Sequence, residues 1–114
     1  LCKMRKRIKY YLQSFSDYPD AVSNNAKRGR LLNEKHGMKC ATAIGRRRSA
    51  DLEAKRPVSV DTIKRMYSYL SRASEYYDPS DTSACGTISF LLWGGKSALN
   101  WSRSKLKSIG ELKE

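Results

Sequence analysis

The residues best equipped for chemistry in this sequence are its cations. Lys3, Arg5, Lys6, Arg7 and Lys9 crowd the first segment. Arg46 and Arg47 sit side by side in a second, and Lys64 and Arg65 in a third. Ammonium and guanidinium groups at this density neutralise phosphates or carboxylates; arginine in particular does not give up its proton. The 114 residues hold 23 Lys+Arg against 11 Asp+Glu, a formal net charge of +12. Such an imbalance implies a polyanionic partner, either nucleic acid or an acidic protein face; a membrane surface is disfavoured. Catalytic groupings do not assemble. His36 is the single histidine, and nothing aims it at a serine and a carboxylate. Gly94-Gly95-Lys96-Ser97 ends like a phosphate-binding loop but lacks the upstream glycine and the preceding strand. It reads as one helix stopping and another starting, with Lys96 at a helix N-terminus as a lesser anion candidate. Cys2, Cys40 and Cys85 are far apart and form no CxxC pair, so no zinc or other metal site and no cofactor is expected. The odd count argues for reduced thiols and a cytosolic setting. No small-molecule substrate is indicated, and the expectation is a non-enzymatic protein.

Helical elements must position these cations. Met4, Ile8, Tyr11, Leu12 and Phe15 form a helical stripe across residues 3–15, with the five cations on the remaining surface. This basic amphipathic helix, taken as a unit of residues 1–16, offers its stripe for docking on a protein groove and its cations for phosphates. The rest, 20–114, is expected to be one helical domain. After Pro19, Asp20 is placed to cap a helix from Ala21 to His36, closed by Gly37. Its inner face is Val22, Ala26 and Gly29, small enough for a neighbouring helix to approach closely. Lys27, Arg28, Arg30 and Lys35 are expected outside. In a helix over 41–55, Ala41, Ile44, Arg48 and Leu52 share a stripe. A guanidinium in that stripe needs a carboxylate or carbonyl, so Arg48 is expected to anchor the fold. Ser59 caps a helix from Val60 to about Tyr76, its apolar face Val60, Ile63, Met66, Tyr67, Leu70 and Ala73. Lys64, Arg65, Ser68 and Arg72 form the other face.

The most apolar stretch, Thr87 to Trp93, reads as a short helix stopped by Gly94-Gly95. A last helix follows, with Ala98, Leu99, Trp101, Leu106, Ile109 and Leu112 on one side. Trp93 and Trp101 are expected to fill much of the core, with the last helix turned back on the short one. The fold class is therefore all-α: a compact bundle of about five helices with a helix-Gly-Gly-helix corner. No apolar run approaches the length of a bilayer span, and no signal peptide is expected. Two ways of meeting nucleic acid follow. The helices joined by Arg56-Pro57-Val58-Ser59 suggest a DNA-reading helix-turn-helix with Thr62, Lys64, Arg65 and Ser68 toward the groove. Phosphate contact without sequence reading is the form expected of that helix pair; Tyr10, Tyr76 and Tyr77 could stack on single strands, but the seven tyrosines are expected mostly to be half-buried packers.

Four motifs in order also carry a family resemblance. They are Asn25-Ala-Lys-Arg-Gly29, then Thr42-Ala-Ile-Gly45 with Arg48 and Asp51-Leu52, then Val58-Ser-Val-Asp-Thr-Ile-Lys-Arg-Met-Tyr-Ser-Tyr69. The fourth is Gly86-Thr-Ile-Ser-Phe-Leu-Leu-Trp-Gly-Gly95 with Trp101. Together they resemble a small helical domain of tailed-phage and prophage head-assembly proteins, found alone or attached to prohead-protease-like proteins. The wording Tyr76-Tyr-Asp-Pro79 and Ala84-Cys-Gly86 resembles versions in crAss-like phages. The chain departs from the pattern at Met38-Lys39-Cys40, where more glycines are usual, and at Arg72-Ala73, where Arg-His is usual. The resemblance brings no protease nucleophile. It implies a virion or assembly protein of the head or portal region, located in the virion and, during assembly, in the host cytoplasm. Its partner would be packaged DNA or a larger phage structural protein. A DNA-binding phage regulator is the alternative.

Overall fold

Pro19 restricts Tyr18 to extended backbone, and the first helix opens immediately after it. The computed structural model describes residues 13–37 and 39–112. Among the described residues five α-helices follow one another: α1 (Asp20–Lys35), α2 (Ala43–Glu53), α3 (Val60–Ala73), α4 (Cys85–Leu92) and α5 (Gly95–Ser108). A 3-10 turn, Ser74–Tyr76, extends α3, so the expected helix to Tyr76 changes pitch at Ala73. Two-residue strands β1 (Ser14–Phe15) and β2 (Val58–Ser59) pair antiparallel, Ser14 with Ser59 and Phe15 with Val58. The class is all-α, as expected.

Most of the proposed basic helix lies outside the described residues, including Lys3, Met4, Arg5, Lys6, Arg7, Ile8, Lys9, Tyr10, Tyr11 and Leu12. Its end does not follow the expectation. Ser14 and Phe15 are strand, and Phe15 packs against the core with the Lys105 ammonium 4.5 Å above its ring. Phe15 is therefore committed to the bundle, where it is not free to dock. The strand prevails because β2 offers backbone partners that would otherwise go unpaired.

The caps are largely local chemistry. Ser59 Oγ accepts from Thr62 N at 3.2 Å and Thr42 Oγ1 from Gly45 N at 3.1 Å. Asp20 is not the cap: Pro19 is, and Asp20 occupies the first turn, where its charge suits the helix dipole. Lys55 ends α2 in the left-handed region (φ 62°). Lys55 N donates to Leu52 O and Arg56 N to Asp51 O, which satisfies the last carbonyls.

Helix α1 lies centrally, against α2, α4 and α5, while α5 packs chiefly on α3. The close approach expected at its small face is present. A Cβ on Gly29 would come to 2.6 Å from Leu92 N. Arg30 is not turned fully outward; it ties α1 to α2. Its Nε and Nη2 donate to the two oxygens of Glu53 at 2.8 Å, and Nη1 donates to Glu34. The Glu53 carboxyl is held below its usual range by that bond.

The Gly-Gly corner exists, but its helices part. Gly94 (φ 101°) and Gly95 (φ 67°) send α4 onto α1 and α5 onto α3. Val22 and the Asn25 amide fill the corner, the amide donating to Gly94 O at 3.0 Å. Trp101 is buried, edge-on to Tyr18 at 5.3 Å. Trp93 is only half-buried and is not the second core ring the sequence suggests.

Cys40 and Cys85 form a disulfide. This corrects the expectation of reduced thiols: spacing along the chain says nothing of proximity, and here the approach to α2 lies over the start of α4.

Candidate nucleic-acid interface

Residues 65, 68, 69 and 72 fall on one helical face at spacings of three and four. In α3 that face carries Arg65, Ser68, Tyr69 and Arg72, and it forms one wall of a cleft of about 600 Å³. The opposite wall is the strap Cys40–Thr42 with Ile44 and Gly45 of α2; Leu92 and Trp93 at the end of α4 complete the lining. Trp93 lies tilted on Tyr69, ring centres 4.8 Å apart. Ile44, expected in the core stripe of α2, is 58% exposed and stands at this cleft.

The strap is held from three sides. Asn33 Oδ1 accepts from Cys40 N at 3.1 Å, Ser89 Oγ donates to Cys40 O at 2.8 Å, and the disulfide joins it to α4. Burial pushes the Tyr69 phenol above its ordinary pKa, with a hydrogen bond to Ser89 acting the other way. The wall therefore presents a neutral phenol at neutral pH.

The cleft is cationic. Arg65 and Arg72 are exposed, and neither has a carboxylate partner among the described residues. The Arg72 Nε donates to Ser68 O at 3.3 Å. Lys64 also lines the cleft, but its ammonium pairs with the buried Glu111 carboxylate at 3.0 Å. Asp61, in the first turn of α3, is the one acidic residue among the described residues that line the cleft.

Of the nine cations expected to meet an anionic partner, Lys3, Arg5, Lys6, Arg7 and Lys9 lie outside the described residues. The structure brings Lys64 and Arg65 together at the cleft. Arg46 and Arg47 are exposed, yet they do not join it. Arg46 borders a small groove with Arg30, Asn33 and Glu34 on the α1 side, and Arg47 is exposed elsewhere on α2. Thr62, expected toward a DNA groove, is buried, and its hydroxyl bonds to Ser59.

Arg48 has the carboxylate partner expected of it, Asp51, but only at 3.9 Å. The buried residues of α2 are Gly45, Ser49 and Leu52, so the stripe is turned by about one residue. Arg48 is half-buried, the Asp51 carboxylate is approached to 3.0 Å by Arg56, and among the described residues Arg48 Nε has no hydrogen-bond partner.

Tyr69, Arg72 and Trp93 were not singled out from the sequence as a site. Arg72 belongs to the polar face of α3 read from the sequence; Tyr69 does not, though it falls one residue after Ser68 at helical spacing from Arg65 and Arg72. Trp93 gave no signal, since an apolar helix end reads as core.

Among the described residues no group of His, Cys, Asp and Glu is placed to hold a metal ion, and no helix is long and apolar enough to cross a membrane. No family model matches the chain, and neither a curated protein nor a solved structure stands as a relative.

Proposed function

We propose that this chain is a non-enzymatic nucleic-acid-binding protein that holds phosphates with Arg65 and Arg72 at the mouth of the α2–α3–α4 cleft. The observation that carries this reading is the pairing of two guanidiniums, without a carboxylate partner among the described residues, with an aromatic lining, in a chain of net charge +12. Guanidiniums supply the salt-dependent contacts to phosphate, and rings supply surface for bases. The resemblance to phage head-assembly domains sets the reading in a virion, at the head or portal, with packaged DNA as the partner. The regulator reading is the weaker one. A recognition helix must project into the major groove, whereas the polar face of α3 is a cleft wall and Thr62 is turned inward.

The test is anisotropy of labelled random-sequence DNA across a salt series. The Arg65→Gln/Arg72→Gln variant is expected to flatten the log-log salt slope by about 1.5–2. No binding at low salt, or tighter binding of polyglutamate than of DNA, would overturn the proposal. Mass spectrometry of purified particles tests the virion setting separately.

A further inference from the structure

A second groove of about 360 Å³ adjoins the cleft and is lined by Tyr69, Arg72, Ala73, Tyr76 and Gly86. Tyr69 and Arg72 belong to both. The two volumes each exceed the lower end of ordinary ligand sites, about 300 Å³. From Arg65 to Tyr76 the track runs roughly 16 Å along the axis of α3 and its 3-10 extension.

The rings along this track are disposed unequally. Tyr77 is spent on the fold, stacked on Phe90 at 4.6 Å. Tyr76, its neighbour, is 74% exposed, although such a ring ordinarily finds a packing partner. At the other end Trp93 is half-exposed over Tyr69. Arg72 stands between them. An exposed ring, a cation and a second ring in line match a single strand, whose base faces are free to stack and whose phosphates lie between bases. A duplex fits worse. Its bases are already stacked on one another and offer no free face to either ring.

We propose that the two grooves form one track for single-stranded nucleic acid, with bases on Trp93 and on Tyr76 and Arg72 on the phosphates between them. This rests on the nucleic-acid reading above and narrows it.

The experiment uses the full chain with two labelled probes at matched salt: an oligothymidylate of about 12 nucleotides and a mixed-sequence duplex of similar length. Tyr76→Ala removes a solvent-exposed ring, so the fold should survive; circular dichroism checks this. It is expected to weaken oligothymidylate binding about 5-fold or more and duplex binding by less than about 2-fold. The oligothymidylate should also quench tryptophan fluorescence, Trp93 being the accessible indole. Equal losses on both probes, or no loss on either, would overturn the single-strand track. A chain that binds duplex steeply with salt but ignores Tyr76→Ala keeps the broader reading and loses this one. A chain that binds neither probe at low salt loses both, and a preference for polyglutamate over either probe likewise overturns both.

Discussion

Two glycines in two helices should respond in opposite senses to the same methyl group. Gly29 in α1 faces α4 so closely that a Cβ would lie 2.6 Å from Leu92 N, 3.0 Å from Leu91 C and 3.1 Å from Leu91 Cβ. Ordinary contact begins at 3.4 Å, so α4 must retreat by almost 1 Å. The nearest atoms are backbone and cannot rotate away. Helix α4 also buries Thr87, Ile88, Phe90, Leu91 and Leu92, which would move with it. That places the overpacking cost near the top of its usual range, about 3 kcal/mol. Alanine returns up to about 1 kcal/mol through helix propensity. Gly29→Ala is thus expected to lose about 2 kcal/mol net, lowering Tm by roughly 6–12 °C. Gly45 in α2 is different: its Cβ would stand 3.4 Å from Thr42 Oγ1 and 3.6 Å from Trp93 Nε1, ordinary contacts. There only the propensity gain remains, so Gly45→Ala should add about 0.5 kcal/mol. Thermal and urea unfolding followed by helical circular dichroism measure both. A Gly29→Ala variant as stable as wild type, or two glycines responding alike, would refute the close α1–α4 crossing.

Trp101→Ala should cost about 3–5 kcal/mol, because the ring is buried beside Tyr18. Trp93→Ala should cost only about 1–2 kcal/mol while weakening nucleic-acid binding; equal losses in urea would place Trp93 in the core after all. Burial first, and the Asp51 charge second, push the Tyr18 phenol up to about 12. The native state therefore favours the neutral phenol, which donates to Arg56 O at 2.7 Å, while the unfolded phenol ionises near 10. Its contribution is full below pH 10 and should fall by about 2–3 kcal/mol as pH rises toward 12; Tyr18→Phe should lack this drop, and an identical drop in the variant would show that another group titrates. Cys40→Ser should cost about 4 kcal/mol from opening a link across 45 residues, and a reductant should destabilise the wild type but not the variant.

What the sequence determined unaided was the local part. The Ser59 cap, the apolar face of α3 and the break at Gly94-Gly95 each depend on residues within one or two turns of each other, and each stands in the structure. The small face of α1 could be read for the same reason: Val22, Ala26 and Gly29 recur at helical spacing and are all buried. Tertiary structure decided which faces meet. The buried stripe of α2 is Gly45, Ser49 and Leu52 because this helix lies against α1, where Ser49 Oγ donates to Ala26 O and Ser23 Oγ donates to Leu52 O. A stripe ranked by hydrophobicity favours Ile44, which close packing leaves outside. The disulfide, the parting of α4 from α5 and the cleft were likewise beyond local reading. The cleft is built from Cys40, Arg65 and Trp93, and no periodicity links residues that far apart. Their meeting depends on how helices of unequal girth pack, a property of facing surfaces that no single segment carries.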